Sequence, residues 1–590
     1  MKSNIYIIFL VFSLIFASCS IDEKLYVPIQ EELSDSVNVN VLVLGVYSGF
    51  STNNLYKKQL NYMTLYSNDV FATTNSNYNI FGRRSVNPSN SMIGGAWGEY
   101  YRIIKNANNL ISEIKRSTSP KLRDGFKQRI IGEMHFVRAF CYFELVRLYG
   151  EVPIITEPID INSNFFNQQK SIDEVYTQIF SDLKVAEETC WTVKQQPSIE
   201  RGRGNVGAAM AVTASAALTY ANHLELPNDR ALTPNPQKAK EYYKMAYEYA
   251  DKVIATNHYS LLADYFKLFD IYDEAGAYKE VIFAIQFAAD TRASSASSKG
   301  SEFASWFQPS TRYTITGNVT DKRGSAIAKI QPWFYDLCTT GDYGAGTANG
   351  DLSQIDYRSQ TIFLTAWPKQ GNNDLYRITY PRLIATEELA DPTKKYEINT
   401  GDLYPYLNKY ADPSGLQQLN NGNDYFIYRL SEMYLIKAEA LNEYHDGPTQ
   451  EAYDALEVVR KRVRDRSGNI YPLKIDISAG LSKEDFRMKI WDERGLEFVG
   501  EPKRHFDAIR MKYKDNKRTM MEYIYDDFYP NMSADEYKAI SYSTGTKTYG
   551  TGRVYTGSID KYSRKFLIWP IPNSEKEGNP NVKQNPDFEW

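Results

Sequence analysis

Apolar residues recur at helical spacing over most of the stretch from about residue 41 to 272. One stripe at spacings of three and four consists of Trp97, Tyr101, Ile104, Asn108 and Ile111. A later segment has two apolar stripes, one of Val137, Cys141, Leu145 and Leu148 and the other of Phe136, Phe140 and Phe143. A helix that is apolar on two faces must be buried between neighbours. This pattern predicts a mainly α protein with a helical core, in which this helix ends at Gly150.

Helix pairs recur along the chain at 206–223 with 239–256, and at 432–444 with 450–464. The second pair has alanines where antiparallel helices approach closely, and a Gly447-Pro448 turn. It is similar to a tetratricopeptide repeat, although the period is irregular and interrupted by long insertions. We therefore expect tetratricopeptide-like helix pairs that form a globular α-helical scaffold, at about 41–290 and 430–515.

The composition changes between about 290 and 430, and again from 515 to 562. The first stretch is rich in Gly, Ser, Thr, Asn and Asp with scattered aromatic residues, and the second is rich in Tyr. Loops of this length in a compact protein are usually functional or disordered. With the loop at 67–91, they are expected to form a large irregular, loop-rich ligand lobe on the scaffold.

The N-terminus has the features of an export signal. Lys2 precedes an apolar run at 5–16, which is too short to span a bilayer, and Ala17 and Ser18 precede Cys19. This ending resembles a lipobox, at which a bacterial lipoprotein is acylated on the cysteine. Phe16 stands where leucine is usual, so an ordinary secreted product stays open as an alternative.

We expect a signal peptide at 1–18, a lipidated tether at 19–40 and one domain at 41–590. Two fatty chains on Cys19 suffice for stable anchoring, and no later apolar stretch is long enough to span a bilayer. The membrane is therefore expected as a partner through the lipid anchor only. Asp22 and Glu23 resemble the acidic cue of lipoproteins exported to the cell surface.

Charge and motif content argue against several other functions. The chain has 68 Lys plus Arg against 72 Asp plus Glu and no basic block, which makes nucleic acid an unlikely partner. With five His and no HExxH motif, no metal site is predicted, and no cofactor is expected. A GxGxxG match at 202–207 follows Pro197 and a polar run instead of a strand, so it indicates a glycine-rich helix entry. The widely spaced Cys141, Cys190 and Cys338 are expected to be isolated buried thiols.

Three segments resemble the SusD/RagB family of outer-membrane nutrient-binding lipoproteins. They read RAFCYFELVRLYGEVP at 138–153, ERGLEFVGEPKRHFD at 493–507 and PIPNSEKEGNPNVKQNP at 570–586. With the lipobox and the Trp97 and 435–444 helices, the resemblance covers nearly the whole chain. Gly495 and Pro502 depart from the family pattern, which usually has arginine and glycine there.

These segments place charged residues among apolar ones, where unpaired charges would be costly. The residues concerned are Arg138, Arg147, Glu493, Arg494, Glu497 and Arg504. We expect an internal ion-pair network instead of a catalytic carboxylate pair.

The resemblance implies a non-enzymatic protein of the bacterial outer membrane, lipid-anchored and facing the exterior. It would capture a nutrient, most often an oligosaccharide and less often a peptide, and pass it to a partner SusC-like TonB-dependent transporter. Sugar rings present apolar C–H faces and many hydroxyls, so capture needs aromatic platforms with polar partners. The candidate ligand-binding residues are Tyr78, Phe81, Trp306, Tyr313, Trp333 and Trp367, with Arg83 and Asp69 as polar partners.

Two other functions stay open from sequence. A helical-repeat surface protein could bind a peptide or protein in a concave groove. A surface glycosidase needs two carboxylates at a fixed separation, and 72 acidic residues cannot be sorted for such a pair by inspection.

Overall fold

The protein is described from a computed structural model. The described residues are 33, 35–73, 75–159, 163, 165–226, 233–288, 300–309, 324–344, 355–364, 366–369, 372–378, 395–398, 404–411, 420–464, 479–531, 540–543, 546–549, 567–585 and 588. The predicted signal peptide, Cys19, most of the tether and Tyr313 lie outside them.

Helices dominate the described residues. In chain order they are α1 Ser36–Tyr47, α2 Gln59–Leu65, α3 Ser76–Gly82, α4 Ser91–Arg116, α5 Asp124–Tyr149, α6 Ile172–Thr189, α7 Val206–Glu225, α8 Pro236–Ala255, α9 Glu274–Ala277, α10 Phe303–Trp306, α11 Pro332–Thr339, α12 Tyr357–Ile362, α13 Leu430–Tyr444, α14 Gln450–Arg464, α15 Lys483–Glu497, α16 Arg504–Arg510, α17 Met520–Tyr523, α18 Tyr529–Asn531 and α19 Asn573–Gly578. Short 3₁₀ turns occur at Ser198–Glu200, Tyr265–Phe269 and Gly341–Tyr343, and a π-helical turn at Ile524–Phe528.

The expected helix pairs are present. The helix α7 packs on α8, and α13 packs on α14, with α8 also lying against α13. Every residue of α7 from Gly207 to Leu224 is buried, and its many alanines allow neighbouring helices to approach closely. The mainly α fold with tetratricopeptide-like pairs is thus confirmed.

Local signals set the ends of these helices. Ser171 and Glu174 form a reciprocal capping box at the start of α6. The helix α5 ends at Gly150, whose φ of 78° favours glycine, as the sequence predicts. The helix α1 begins at Ser36 with Asp35 as its cap, so regular structure starts before the expected domain boundary at 41.

The strands are short and mostly paired in twos. They are β1 Phe71–Ala72, β2 Val152–Pro153, β3 Gln169–Lys170, β4 Val281–Ile285, β5 Lys329–Ile330, β6 Phe363–Leu364, β7 Ala366–Lys369, β8 Asn372–Ile378, β9 Lys395–Ile398, β10 Tyr406–Leu407, β11 Tyr425–Arg429, β12 Ile540–Ser543 and β13 Thr546–Tyr549. The pairs β1–β5, β2–β3, β4–β11, β6–β10 and β12–β13 are antiparallel, and β8 lies between antiparallel β7 and parallel β9.

Where the stretch at about 290–430 is described, it shares one hydrophobic core with the helical scaffold. Phe303, Phe334 and Leu407 from that stretch belong to the same buried cluster as Phe140 and Leu435 from the helical body. The segment expected to be a loop at 67–91 also contains β1 and α3. The described residues of that stretch therefore pack directly on the helical scaffold.

A candidate ligand-binding surface of partly exposed aromatic rings

A buried ion-pair network joins several elements of the protein at the end of α15. The carboxylate of Glu497 at the end of α15 accepts hydrogen bonds from Arg358 at 2.9 Å, Arg429 at 2.9 Å and Arg462 at 2.5 Å. Burial alone would raise the pKa of Glu497, but these three guanidinium groups together hold that pKa well below its usual value. Glu497 therefore stays ionised and ties α12, β11 and α14 to α15.

The other predicted members of the network are paired as well. Arg138 donates to Asp182 at 2.8 and 2.7 Å, and Arg147 pairs with Glu144. The remaining pairs are Glu493 with Arg358, Arg494 with Asp507, and Arg504 with Asp69. All six residues are buried, so the expected ion-pair network is confirmed.

Three candidate ligand-binding residues are buried, so Phe81 and Trp306 are not exposed platforms and Asp69 is not an accessible polar partner. Phe81 and Trp306 are each 0% exposed, Phe81 against Trp569 and Trp306 against Tyr62. Asp69 is 2% exposed, and its carboxylate accepts two hydrogen bonds from the Arg504 guanidinium, at 2.8 and 2.7 Å. Large rings also carry core burial, and sequence gave no way to separate the two roles.

Three other candidates, Tyr78, Arg83 and Trp333, are partly exposed and remain predictions. Trp367 lies in β7, but its side chain is outside the described residues.

Trp333 forms one end of a continuous row of partly exposed rings, which we call the aromatic strip. The ring of Trp333 lies 4.9 Å from that of Phe528, and Phe528 lies 6.2 Å from Tyr523. Tyr523 then stacks on Tyr513 with ring centroids 3.7 Å apart. All four rings are partly buried on the core and partly exposed to solvent. The strip thus combines fixed positions with accessible ring surface.

Hydrogen bonds fix the Trp333 end of the strip. The indole Nε1 of Trp333 donates to the backbone oxygen of Asp69 at 2.9 Å. Asp69 is itself held by Arg504 in the second family-like segment. The buried pair therefore acts as a support that orients the partly exposed tryptophan.

The other three rings are held by the segment 513–528. Thr519 and Glu522 form a capping box at the start of α17, and the chain continues into the π-helical turn. Such turns are rare and occur frequently at functional sites. Tyr525 inside this turn is buried, and its hydroxyl donates to the backbone oxygen of Gly82 at 3.0 Å. Its burial anchors the turn that carries Phe528.

Charged groups lie beside the Tyr513 end of the strip. The guanidinium of Arg518 lies 5.6 Å from the ring centroid of Tyr513, and it pairs with Asp515 and Asp527 at 2.7 Å each. Burial, with a contribution from Tyr513, raises the pKa of Tyr523 to about 12, so its hydroxyl stays protonated at neutral pH. Hydrogen-bond donors and acceptors therefore lie next to apolar ring surface, the combination that recognition of a hydroxylated ring requires.

Tyr78 is a further partly exposed ring, outside the aromatic strip. It stacks on Tyr62 with centroids 3.9 Å apart, and Tyr62 contacts the buried Trp306 at 4.4 Å. The segment that carries these rings also contacts the segment of Trp333, since the backbone oxygen of Val70 accepts a hydrogen bond from the backbone N–H of Gln331 at 2.8 Å.

Arg84, just after α3, has a strained backbone φ of 59°. Its guanidinium donates to the backbone oxygen of Ser67 at 2.9 Å.

Sequence reasoning missed Tyr513, Tyr523 and Phe528. The high tyrosine content from residue 515 onward marks the region of Tyr523 and Phe528 but not particular rings, and Tyr513 lies just before it. Their neighbour Trp333 lies 180 residues before Tyr513 in the chain.

Several other predictions concern chemistry. Among the described residues, no group of three or more His, Cys, Asp or Glu could hold a metal ion. Cys141, Cys190 and Cys338 are buried and free, as expected. The glycines of the GxGxxG match serve packing, because a Cβ on Gly204 would lie 2.3 Å from Phe136. Within the described part of the chain, no helix combines the length and apolar character needed to cross a bilayer.

Helix pairs joined by a buried ionic network, with a row of partly exposed rings, define a helical protein whose surface suits ligand binding. Comparison with known protein families identifies the class to which this helical protein belongs. Residues 279–590 match the SusD family, and residues 21–216 match a family described as starch-binding associating with outer membrane. The chain therefore belongs to the SusD family.

Known relatives agree with this assignment over most of the chain. SusD-like protein P2 of Formosa agariphila is 28% identical over 524 residues, which cover 86% of this chain and 90% of that protein. A SusD homologue from Bacteroides thetaiotaomicron superposes with a TM-score of 0.74 at 21% identity, covering 96% of this chain and all of the other. A laminarin-binding SusD-like protein superposes at 0.62 with 20% identity, covering 94% of this chain and all of that one. The structural matches confirm the fold.

Proposed function

We propose that this protein binds an oligosaccharide at the bacterial cell surface through the aromatic strip. The observation that carries the proposal is the row of four partly exposed rings from Trp333 to Tyr513, on a chain of the SusD family. Sugar C–H faces stack on such rings, while sugar hydroxyls exchange hydrogen bonds with polar neighbours such as Asp527 and Arg518.

Related proteins support a carbohydrate ligand. One structural neighbour is named for laminarin binding, and another, from Bacteroides fluxus, is named surface glycan-binding protein A. The second superposes with a TM-score of 0.64 at 18% identity over 94% of this chain and all of that one. The ring and polar groups of the strip are compatible with the same class of ligand.

Delivery of the ligand is the second part of the proposal. The protein passes its oligosaccharide to a SusC-like TonB-dependent transporter, while acylated Cys19 holds it on the outer face of the outer membrane. The family resemblance, the match described as associating with outer membrane and the lipobox support this arrangement.

A glycosidase is disfavoured by the charges at the strip. A general acid needs a raised pKa. Burial would raise the pKa of Asp515, but backbone N–H groups and Arg518 lower it overall. Arg518 pairs with Asp515 and Asp527, and the lowered pKa of Asp515 makes it a poor proton donor at neutral pH.

Glycan-array binding by the lipid-free protein, with a reducing-sugar assay on the same material, tests the proposal. We expect an oligosaccharide to bind without release of product. Trp333→Ala and Tyr523→Ala should each weaken that binding about tenfold, since ring stacking contributes about 0.5–1.5 kcal/mol beyond area burial. Phe165→Ala, at a 60% exposed ring outside the strip, is the matched control and should bind normally.

Three outcomes would count against this function. Release of reducing ends would indicate a glycosidase, and binding to peptides but not to glycans would indicate the helical-repeat alternative. If both strip variants melt normally and bind the glycan with unchanged affinity, the glycan-binding site lies elsewhere on the molecule.

A further inference from the structure

One face of the helix α15 runs alongside the aromatic strip. Asp485 on this face pairs at 2.7 Å with Lys514, which directly follows the last ring of the strip in the chain. One turn further on, Lys489 pairs with Asp342, just after the helix α11 that carries Trp333. This face of α15 therefore extends from one end of the strip to the other.

Asp492 occupies the next turn of the same face. It is partly exposed, and its carboxylate makes no hydrogen bond or ion pair with the residues that the structure describes. Its neighbour Trp491 lies against the Arg504 guanidinium, whose Cζ is 3.3 Å from the centroid of the Trp491 ring. Arg504 also holds Asp69, to whose backbone oxygen Trp333 donates. Asp492 therefore offers a free acceptor near the Trp333 end of the strip.

Charges from several elements act on the Asp492 carboxylate. Burial raises the pKa of Asp492 to about 6, while Arg504 and Lys489 act to lower that pKa and Asp342 and Asp69 act to raise it. The other titratable groups that interact with Asp492 are those of Lys514, Cys338 and Tyr343. At neutral pH the carboxylate is therefore mostly ionised, and it can only accept hydrogen bonds.

Such a carboxylate is a suitable partner for sugar hydroxyl groups. A sugar that stacks on an aromatic ring carries hydroxyls around its edge, and hydroxyls donate hydrogen bonds. Hydrogen bonds to an ionised acceptor are roughly twice as strong as those between neutral groups. Because Asp492 has no donor of its own in the described part of the chain, a bound sugar would satisfy it without breaking an existing pair.

The elements around the strip have an excess of negative charge. Segment 513–528 contains four Asp or Glu against three Lys or Arg, and residues 332–343, which include α11, contain two Asp and no Lys or Arg. The bordering face of α15 adds Asp485 and Asp492 against Lys489. Charges within a Debye length of about 8 Å still interact at physiological salt, so a uronate or sulfate group on the strip would be repelled.

We propose that Asp492 accepts hydrogen bonds from the hydroxyl groups of a sugar on the aromatic strip, and that the strip selects uncharged oligosaccharides over acidic ones. This inference rests on the proposed glycan binding. It adds the class of glycan and a polar residue that recognises it.

A glycan array with two sets of probes tests the selectivity of the lipid-free protein. The neutral set consists of laminarin, mannan, xylan and galactan oligosaccharides, and the acidic set of polygalacturonate and alginate oligosaccharides. We expect the tightest binding in the neutral set, with every acidic probe at least about tenfold weaker.

Calorimetry at about pH 7.5 and about pH 5, with the tightest-binding of these neutral probes, tests Asp492 itself. At the lower pH about one carboxyl in eleven is ionised, so the wild-type affinity should fall about tenfold. Asp492→Asn should bind about tenfold more weakly than wild type at the higher pH, with less than about a twofold change between the two pH values. The control Glu241→Gln, at an exposed carboxylate of α8, should behave like wild type at both pH values.

The possible results separate this inference from glycan binding as such. Acidic probes that bind as tightly as neutral ones would overturn the selectivity, and a pH dependence that persists in the Asp492→Asn protein would overturn the role of Asp492. Both results would leave glycan binding at the strip in place. Release of reducing ends that disappears in the Asp492→Asn protein would make Asp492 a proton donor, and failure of every probe to bind would count against the proposed function as well.

Discussion

At the residue scale, the defining feature of this protein is buried charge that is almost fully paired. Glu497 is 0% exposed and is surrounded by Arg358, Arg429 and Arg462. Such an arrangement adds little stability over an apolar core, but removing one partner leaves the other charges buried without compensation. The side chains in the second family-like segment are therefore sensitive to single substitutions.

Glu497→Gln keeps the shape of the side chain and removes its charge. We expect a decrease of about 3–5 kcal/mol in the free energy of unfolding, because three buried guanidinium groups lose their shared counter-ion. Urea denaturation followed by circular dichroism measures this change. The control is Glu248→Gln, at an exposed pair with Lys244, where a change below about 0.5 kcal/mol is expected. A loss below about 1 kcal/mol for Glu497→Gln would contradict the role given to the network.

Acid should destabilise the protein through the same carboxylate. The pKa of Glu497 is lowered in the folded state, so its contribution is fully present above the unfolded pKa of about 4.3. That contribution is lost as pH falls through the folded value. Urea midpoints measured from about pH 7 to 3 should fall steeply below about pH 4.5. The Glu497→Gln protein should show a shallower decrease, and equal slopes in both proteins would show that other groups control acid unfolding.

At the scale of single elements, close helix packing depends on small residues at particular positions. Gly132 lies in the middle of α5, where an added Cβ would be 1.9 Å from the hydroxyl of Thr189 at the end of α6. Gly98 lies in α4, and an added Cβ there would have no atom within 4 Å. The two glycines share a helical conformation and differ in their surroundings.

Alanine at these two positions should have opposite effects. Gly98→Ala should stabilise the protein by about 0.5–1 kcal/mol, since alanine loses less conformational entropy in a helix. Gly132→Ala has the same gain in helix propensity, but the added methyl group overpacks against α6. The free energy of unfolding should therefore decrease by about 1–3 kcal/mol. Thermal or urea unfolding of both proteins measures the difference. The same sign in both would show that α5 and α6 can move apart at little cost.

At the scale of the whole molecule, distant parts of the chain close one core. The C-terminal segment lies against α5, since the backbone N–H of Trp569 donates to the backbone oxygen of Leu148 at 2.7 Å. Asn585 also donates to the backbone oxygen of Tyr149 at 3.0 Å. The first and third family-like segments thus meet in space, although more than 400 residues separate them in the chain.

The proposed function makes membrane attachment of the whole molecule depend on Cys19. Cys19→Ala should release the protein from the membrane fraction, because each buried methylene of the acyl chains contributes about 0.8 kcal/mol to attachment. Fractionation of cells followed by immunoblotting checks this. Cys141→Ala, at a buried thiol, is the control and should stay in the membrane fraction. Retention of the Cys19→Ala protein on the membrane would show that another feature anchors it.

Much of the fold could be predicted because its signals are local. The apolar stripes of α4 and α5 repeat every three or four residues, and Gly150 ends α5 as expected. The cost of burying an unpaired charge predicted that Arg138 and Arg504 would each have an acidic partner. The sequence did not show that these partners are Asp182 and Asp69, respectively.

The candidate surface was predicted only in part, since exposure is not a local property. Trp306 and Trp333 lie in segments of similar composition, yet Trp306 closes the core and Trp333 borders solvent. The sequence by itself determined the helices, the family and the need for buried ion pairs, because periodicity, motifs and charge can be recognised within short segments. Only the tertiary structure decided which rings reach the surface together, because Trp333 meets Phe528 through the packing of segments far apart in the chain.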